Sequence, residues 1–310
     1  MSEKIKVICV VGPTASGKTE LSVEIAKKYN GEIVSADSMQ LYKGIHIASA
    51  APDEEEKQGI PHHLIEFLEL SDTFSVADYV KTAGKIIKDI ATRGKLPVIV
   101  GGTGLYIDSL VQNIKFTQEK TDENLRKELE KQFDALGAKA MLEKLSVFDP
   151  QTAKKLNLND RRRIIRAFEV YLSAGVSITE QNRISRLEES PFEALYIGLC
   201  YKNREILYDR INRRVELMIE NGLLDEAKAT LNQTQNKGAM QAIGHKELHS
   251  FILGEKSLET AVEDLKRSTR RYAKRQLTWF NRNKDINWIF KDEQQEVLRY
   301  STELIDKFLK

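Results

Sequence analysis

The chain has 310 residues, of which 41% are hydrophobic and 30% are charged, a balance that excludes an intrinsically disordered protein. Its 48 basic and 46 acidic residues nearly cancel to a formal net charge of +2, which excludes a uniformly basic or acidic surface. Information about partners must therefore come from how the charges are distributed.

The first apolar run, Ile5–Val11, is too short for a membrane span and lacks the features of a signal peptide, so it is predicted to be a buried strand. The only two cysteines, Cys9 and Cys200, lie in apolar runs and form neither a disulfide framework nor a metal cluster. We therefore expect a cytoplasmic protein that does not associate with membranes.

The first hundred residues alternate between short apolar runs and helical patterns. After Ile5–Val11 the pattern predicts a helix over Lys18–Tyr29, a strand over Glu32–Ala36, a helix over Thr73–Thr92 and a strand over Leu96–Val100. Strands that alternate with helices predict parallel βαβ units. The expected fold class is α/β, with a P-loop-type parallel sheet flanked by helices.

A phosphate-binding loop lies between the first strand and the first helix. The run Gly12-Pro13-Thr14-Ala15-Ser16-Gly17-Lys18-Thr19 fits the pattern G-x-x-x-x-G-K-[ST] in the strand–loop–helix context that makes it specific. Backbone N–H groups and the helix N-terminus attract phosphate, Lys18 adds a positive charge, and Thr19 offers a hydroxyl to Mg²⁺. The residues predicted to bind a diphosphate are Gly12, Thr14, Ala15, Ser16, Gly17, Lys18 and Thr19, with Thr19 as a metal ligand.

Two further strand ends fall at the same edge of the expected sheet. Asp37 follows the second strand, and Gly101-Gly102-Thr103-Gly104 follows the third. A carboxylate beside phosphates either holds Mg²⁺ or accepts a proton from a nucleophile, although Asp37 could also simply cap the next turn. Gln40 has an amide that suits a base edge.

The region between residues 116 and 190 contains only helical patterns, which predicts a small all-helical domain inserted into the sheet domain. The core would then comprise residues 1–115 and 191–310. Within its second part the pattern predicts a strand over Ala194–Cys200, a helix over Arg204–Asn221 and a last strand over Ile286–Phe290.

Two segments concentrate positive charge. The stretch 267–284 carries seven basic residues and no acid, and Arg267, Arg271, Lys274 and Arg282 follow one helical stripe. Arg161, Arg162, Arg163 and Arg166 form a second cluster at a predicted helix start, where the partner is either RNA or nearby acids such as Asp160 and Glu169.

His62 and His63 are adjacent and do not suit one metal ion, so we expect structural or substrate-lining roles. Met39, Met218 and Met240 are expected in the core.

Several motifs together resemble the bacterial tRNA dimethylallyltransferase (isopentenyltransferase) family. They run from the phosphate loop to the last predicted helix: Asp37-Ser38-Met39-Gln40-Leu41-Tyr42, Gly59-Ile60-Pro61-His62-His63-Leu64, Gly101-Gly102-Thr103-Gly104-Leu105-Tyr106, Arg210-Ile211 with Arg214-Val215, Gln241-Ala242-Ile243-Gly244 with Lys246-Glu247, and Thr269-Arg270-Arg271-Tyr272-Ala273-Lys274-Arg275-Gln276 with Thr278-Trp279-Phe280. The phosphate loop occurs in many families, whereas the other motifs in this order are selective.

The resemblance implies transfer of a dimethylallyl group from dimethylallyl diphosphate to N6 of the adenosine next to the tRNA anticodon, with release of diphosphate and with Mg²⁺ as cofactor. It implies Asp37 as the base, Thr103 near the reacting atoms and Arg214 on the leaving group. The helical insertion is expected to contact tRNA, and a monomer is expected. The residues predicted to bind RNA are Ser38, Gln40, Arg161, Arg162, Arg166, Gln241, Lys246, Arg267, Arg271, Lys274 and Arg275.

The match departs from the family pattern at two places. His46-Ile47-Ala48-Ser49-Ala50-Ala51 replaces a run that usually contains an acid, a glycine and a lysine, and His245 stands where tyrosine is common. Two other functions share parts of this pattern: an ATP-dependent P-loop kinase of a small metabolite or nucleoside, and a non-catalytic RNA-binding protein. A kinase leaves the basic C-terminal helix and Gln40 unexplained, and the departures at 46–51 alone favour the second.

Overall fold

The computed structural model describes residues 4–114, 116, 122–185, 188–233 and 242–310. The first half of the chain contains β1 (Ile5–Val11), α1 (Lys18–Lys28), β2 (Gly31–Ser35), α2 (His46–Ser49), α3 (Glu54–Lys57), β3 (His62–His63), α4 (Val76–Thr92), β4 (Leu96–Gly101) and α5 (Gly104–Val111). It continues with α6 (Glu123–Phe148), α7 (Pro150–Lys155), α8 (Arg161–Ala174), α9 (Ile178–Ser185), β5 (Phe192–Cys200), α10 (Arg204–Glu220), α11 (Leu223–Gln233), α12 (His245–Ile252), α13 (Leu258–Phe280), β6 (Ile286–Phe290) and α14 (Val297–Leu309).

The chain divides into two compact units, Met1–Val111 with Pro191–Lys310, and Gln112–Ser190. All strands assigned in the described ranges belong to the first unit and form one parallel sheet in the order β3-β2-β4-β1-β5-β6. The predicted α/β class is therefore confirmed. β3 and α14 have no counterpart in the sequence prediction. The two residues of β3 are too few to show a period.

Alternate residues of the strands face two separate apolar layers, as the strand period of two requires. Val7, Cys9 and Val11 of β1 pack in one cluster with residues of α4 and α5, whereas Ile8 and Val10 pack in the other with residues of α1 and α14. Because both faces are covered, the strands read as continuous apolar runs.

Register brings three strand ends to one edge of the sheet. Val11 of β1 lies opposite Gly101 of β4, and Ser35 of β2 lies opposite Val100 of β4. The loops that follow β1, β2 and β4 therefore start side by side.

The unit Gln112–Ser190 contains α6, α7, α8 and α9 around its own apolar core. Leu129, Met141 and Leu145 of α6 pack against Ile164 and Phe168 of α8. Asp149 joins the short helices α7 and α9, since the Asp149 carboxylate accepts hydrogen bonds from the Thr152 and Thr179 amides and from the Thr179 hydroxyl.

No helix within the described ranges is both long and apolar enough to span a bilayer.

Candidate active site at the strand ends

The loop after β1 curls tightly against β5. Gly12 has φ 143°, and a Cβ there would lie 2.2 Å from the backbone oxygen of Leu199, so only glycine fits. α1 begins at Lys18 without a side-chain cap from Gly17, which leaves its first N–H groups for an anion. Ser16 is buried, and its hydroxyl has no hydrogen-bond partner among the described residues. These features suit a phosphate chain.

Lys18, Asp37 and Arg214 bring three charges to one pocket. Lys18 Nζ donates to the Pro13 carbonyl at 2.7 Å, and burial together with the nearby Arg214 charge lowers the pKa of Lys18 to about 8. Burial also lowers the pKa of Arg214, although Glu56 and Asp37 partly offset this. Positive charges shielded from water in this way act strongly on a bound anion.

Asp37 is placed by the turn that it caps. Its Oδ1 accepts from the Met39 amide at 2.9 Å, so the capping role considered from sequence is present, and the side chain also lines the pocket. Burial raises the pKa of the Asp37 carboxyl, opposed by the Met39 and Gln40 amides and by the charges of Lys18 and Arg214. A carboxylate with a raised pKa is a better proton acceptor than an ordinary one.

Thr103 joins the loops after β2 and β4. Its amide donates to the Ala36 carbonyl at 3.1 Å, and its hydroxyl accepts from the Ser38 amide at 3.1 Å. Burial raises the pKa of the nearby Tyr272 phenol, and Thr103 partly offsets this rise. Thr103 therefore has a fixed position beside Asp37.

Gln276 holds two of these loops together and was not singled out from the sequence. Its Oε1 accepts from the Thr14 amide at 2.8 Å, and its Nε2 donates to the Gly102 carbonyl at 3.1 Å. A Cβ on Gly102 would lie 1.9 Å from that Nε2. The available signal is its spacing, because Gln276 lies between Ala273 and Phe280 on the buried face of α13.

The pocket has a volume of about 470 Å³. Gln40 lines it, but both ends of its amide have protein partners: Oε1 accepts from the Ser35 hydroxyl at 2.8 Å and Nε2 donates to the Ala50 carbonyl at 3.1 Å. His62 lines it too, whereas His63 pairs with Glu32 at 2.8 Å. Met39 and Met218 are half-buried and pack against the apolar core, as expected, and both also line the pocket.

α13 presents two faces. Leu265, Thr269, Tyr272 and Gln276 line the pocket at helical spacing, while Arg267, Arg271, Lys274 and Arg275 are exposed. Arg267 pairs with Asp264 at 3.3 Å, and Arg275 lies over the Tyr272 ring and reaches the pocket. No ion pair to Arg271 or Lys274 occurs within the described ranges. The helix ends at Phe280, so placing Arg282 in its stripe is wrong; that guanidinium lies over the Trp279 ring.

The other predicted RNA-binding residues lie in different surroundings. Lys246 is exposed on α12, and Ser38 lines the pocket. In the helical unit, Arg161 pairs with Asp134 and Arg166 pairs with Glu169, while Arg162 is exposed. Gln241, like Met240, lies outside the described residues.

Comparison with known proteins agrees with this geometry. A family model described as IPP transferase matches residues 40–283, and one described as isopentenyl transferase matches residues 5–74. A tRNA dimethylallyltransferase of Caldanaerobacter subterraneus is 49% identical over 292 residues, covering 93% of each chain. This chain belongs to the tRNA dimethylallyltransferase family.

Solved structures of the dimethylallyltransferase family share its fold. The tRNA isopentenylpyrophosphate transferase of Bacillus halodurans is 40% identical, with a TM-score of 0.71 and 98% of each chain covered. A eukaryotic dimethylallyltransferase acting on tRNA is 30% identical, with a TM-score of 0.81, covering 98% of this chain and 79% of that one. The family is one of prenyltransferases. In this chain Asp37, Arg214 and the loop residues Thr14, Lys18 and Thr19 line one pocket, and Thr103 is hydrogen-bonded to Ser38, which also lines it.

Proposed function

We propose that this chain transfers a dimethylallyl group from dimethylallyl diphosphate to N6 of the adenosine next to a tRNA anticodon. The observation that carries the proposal is the meeting of a phosphate loop and a carboxylate of raised pKa in one pocket. A diphosphate leaving group and a nucleophile that must lose a proton need this combination.

The loop and its neighbours bind the donor. Backbone N–H groups of Gly12–Thr19, the Lys18 ammonium and the Arg214 guanidinium hold the diphosphate and stabilise the charge that develops as the C–O bond breaks. The half-buried position of Arg214 makes this stabilisation stronger than an exposed arginine would give.

Asp37 accepts the proton from the adenine amine as the new C–N bond forms. The amine is conjugated with the ring and is a weak nucleophile, so a positioned carboxylate contributes to the rate. Thr103 lies beside Asp37, where its hydroxyl orients the reacting groups.

The donor set also fits Mg²⁺, which binds through one or two carboxylate or hydroxyl oxygens together with substrate phosphates. The Thr19 hydroxyl lines the same pocket as the phosphate loop's Lys18. The described residues contain no cluster of three metal-binding side chains, so phosphate oxygens would complete the coordination. When bound, the ion neutralises charge on the leaving diphosphate.

RNA would be bound by exposed cations and by extrusion of the target base into the pocket. Arg271, Lys274, Arg275 and Lys246 supply exposed positive charge on α12 and α13, and Arg161, Arg162 and Arg166 are candidates in the helical unit. Gln40 and Ser38 line the pocket that the base would enter. The kinase alternative is not favoured, because the family consists of prenyltransferases.

The test is transfer of radiolabelled dimethylallyl diphosphate to an anticodon stem-loop. Wild-type protein should label the RNA, and Asp37→Ala should lower the rate by about 10²- to 10⁴-fold. Asp285→Ala, which removes an exposed carboxylate that does not line the pocket, is the matched control. Absence of label with wild-type protein, together with ATP turnover on a small acceptor, would establish the kinase instead.

A further inference from the structure

One wall of the pocket is formed by the chain segment 46–51. Its residues Ala48, Ser49 and Ala50 line the pocket, and α2 within it is only four residues long. Helices this short have little stability of their own. The position of this wall therefore depends on contacts made by other elements.

The Glu226 carboxylate of α11 holds the start of α2. Its Oε2 accepts from the Ile47 amide at 2.7 Å, and its Oε1 accepts from the Ala48 amide at 2.9 Å. Glu226 lies far away in sequence, and its side chain is 10% exposed. Two backbone amides therefore share one carboxyl group that is shielded from water, which fixes the start of α2 to α11.

His245 of α12 completes the arrangement. Its Nε2 lies 3.0 Å from Glu226 Oε1, and its side chain is fully buried. Because two amides already donate to this carboxylate, it is an acceptor and His245 Nε2 is the donor. The other ring nitrogen, Nδ1, has no partner among the described residues.

A buried histidine–carboxylate pair is costly to form and adds little net stability. Its effect here is geometric, because it joins α11 and α12 to the backbone of the pocket wall. The far end of the wall is held independently, since Gln40 Nε2 donates to the Ala50 carbonyl.

The wall borders the apolar part of the pocket. Val215, Met218, Ile243 and Leu265 line the pocket and pack in one apolar cluster with Ile47 and Ala48. Hydrocarbon is stabilised by apolar contact, whereas an adenine edge needs polar partners. This part of the pocket therefore suits the prenyl chain of the donor, and the position of Ala48 sets how much room that chain has.

We propose that Glu226 and His245 are positioning residues for the prenyl donor, holding segment 46–51 so that the apolar end of the pocket accepts a five-carbon chain and excludes a longer one. The inference rests on the proposed function. It predicts effects on donor binding and on donor choice, with the RNA substrate unaffected.

The experiment compares His245→Leu, which removes the donor, with His245→Gln, which retains a side-chain N–H at a similar reach. Glu226→Ala tests the carboxylate, and Asp225→Ala, an exposed neighbour on α11, is the matched control. For each protein, calorimetry gives the Kd of dimethylallyl diphosphate, and steady-state kinetics give the stem-loop KM and the preference for dimethylallyl over geranyl diphosphate.

His245→Leu and Glu226→Ala should each raise the donor Kd about tenfold, the effect of losing one strong buried hydrogen bond. In both variants the preference for dimethylallyl over geranyl diphosphate should fall. The stem-loop KM should stay within about twofold of the wild-type value, which is within the range of neutral surface changes. His245→Gln should restore both the donor Kd and the donor preference. If Glu226→Ala fails to fold, the comparison of His245→Leu with His245→Gln still tests the proposal.

Equal donor Kd and equal selectivity in wild type and His245→Leu would overturn the inference, as would equal losses for donor and RNA. Wild-type protein that binds donor but transfers no label would overturn the proposed function while the binding comparison still tests the inference. Wild-type protein that neither binds nor transfers would overturn both.

Discussion

The pocket and the outer face of α13 both collect positive charge, but they hold it in different ways. In the pocket, burial lowers the pKa of Lys18 and of Arg214. On α13, Arg271 and Lys274 are exposed, and within the described ranges neither has an ion pair. Charges in the pocket act at short range on one bound anion, whereas charges on α13 act through water and salt on an extended one.

α8 shows that a basic sequence is not enough to produce a free basic surface. Arg161, Arg163 and Arg166 pair with Asp134, Asp160 and Glu169 inside the helical unit. The nearby acids that the sequence offered as one alternative are thus in place, and Arg162 is the exposed member of the cluster without an ion pair in the described part of the chain. Two arginine-rich helices therefore differ in how much of their charge remains uncompensated.

The largest effect should follow from removing a pocket charge. Arg214→Gln should lower kcat by about 10²- to 10³-fold, because a shielded charge on the leaving group is lost in the transition state. Arg213→Gln, which changes the exposed neighbour, should stay near wild type. Single-turnover kinetics measure the transfer rate of both variants. Similar losses of rate in Arg214→Gln and Arg213→Gln would show that the position of Arg214 in the pocket does not matter for catalysis.

A smaller effect should follow from loosening the loops that carry those charges. Gln276→Leu leaves the Thr14 amide and the Gly102 carbonyl without their partner, which should lower the free energy of unfolding by about 1–3 kcal/mol. Urea denaturation measures this, with exposed Thr278→Ala on the same helix as control. An unchanged midpoint for Gln276→Leu would mean that water replaces the side chain at no cost.

The pH dependence of donor binding should report the buried lysine. The pKa of Lys18 is about 8 in the free protein, and a bound diphosphate raises it, so binding takes up a proton at higher pH. Affinity should be constant below pH 8 and then fall as pH rises, by up to about tenfold per pH unit. Calorimetry should show this decrease in donor affinity between about pH 6.5 and 9.5, a range that extends about 1.5 units on either side of the Lys18 pKa. Lys18→Met should abolish the pH dependence.

The exposed cations of α13 should affect RNA binding through salt. Arg271→Ala and Lys274→Ala should each weaken stem-loop binding a few-fold and reduce the slope of log affinity against log salt by about 0.7–0.9. kcat should not change. Lys228→Ala, whose lysine pairs with Asp225, is the control, and an unchanged slope in Arg271→Ala or Lys274→Ala would place the RNA elsewhere.

The smallest effect is expected for the paired arginines of α8. Arg166→Ala should change stem-loop affinity by less than about twofold, because Glu169 already compensates its charge. Arg162→Ala should have the larger effect of the two. Filter binding at low salt measures both, and the reverse order would show that RNA displaces the intramolecular partner.

Much of the fold was predictable from sequence because it depends on local patterns. The short apolar runs predicted β1, β2, β4, β5 and β6 to within two residues of their observed ends, and the α/β class is confirmed. The helix predicted from Thr73 begins at Val76, because the Ser75 side chain caps its first turn. β3 was missed because its two residues are held by pairing with β2 rather than by their own pattern.

The residues of the candidate site also fall into those that the sequence predicts and those that it does not. Gly12–Thr19, Asp37 and Thr103 could be placed from sequence because each directly follows a parallel strand, and parallel strands end at one edge. Gln276, Glu226 and His245 could not, since their importance depends on partners that are distant in sequence. Gln276 bonds to two backbone groups, and Glu226 bonds to two backbone amides as well as to His245, and backbone groups carry no residue-specific signal.

The sequence by itself determined five of the six strands, the phosphate loop, the charges available and the family, because these depend on neighbouring residues and on motifs. Only the tertiary structure decided which charges are compensated and which polar groups hold the pocket wall. The two departures at 46–51 and at 245 illustrate this, because they lie far apart in the chain yet meet at the Glu226 carboxylate. A hydrogen bond needs two groups within about 3 Å of each other, and only the fold supplies that proximity.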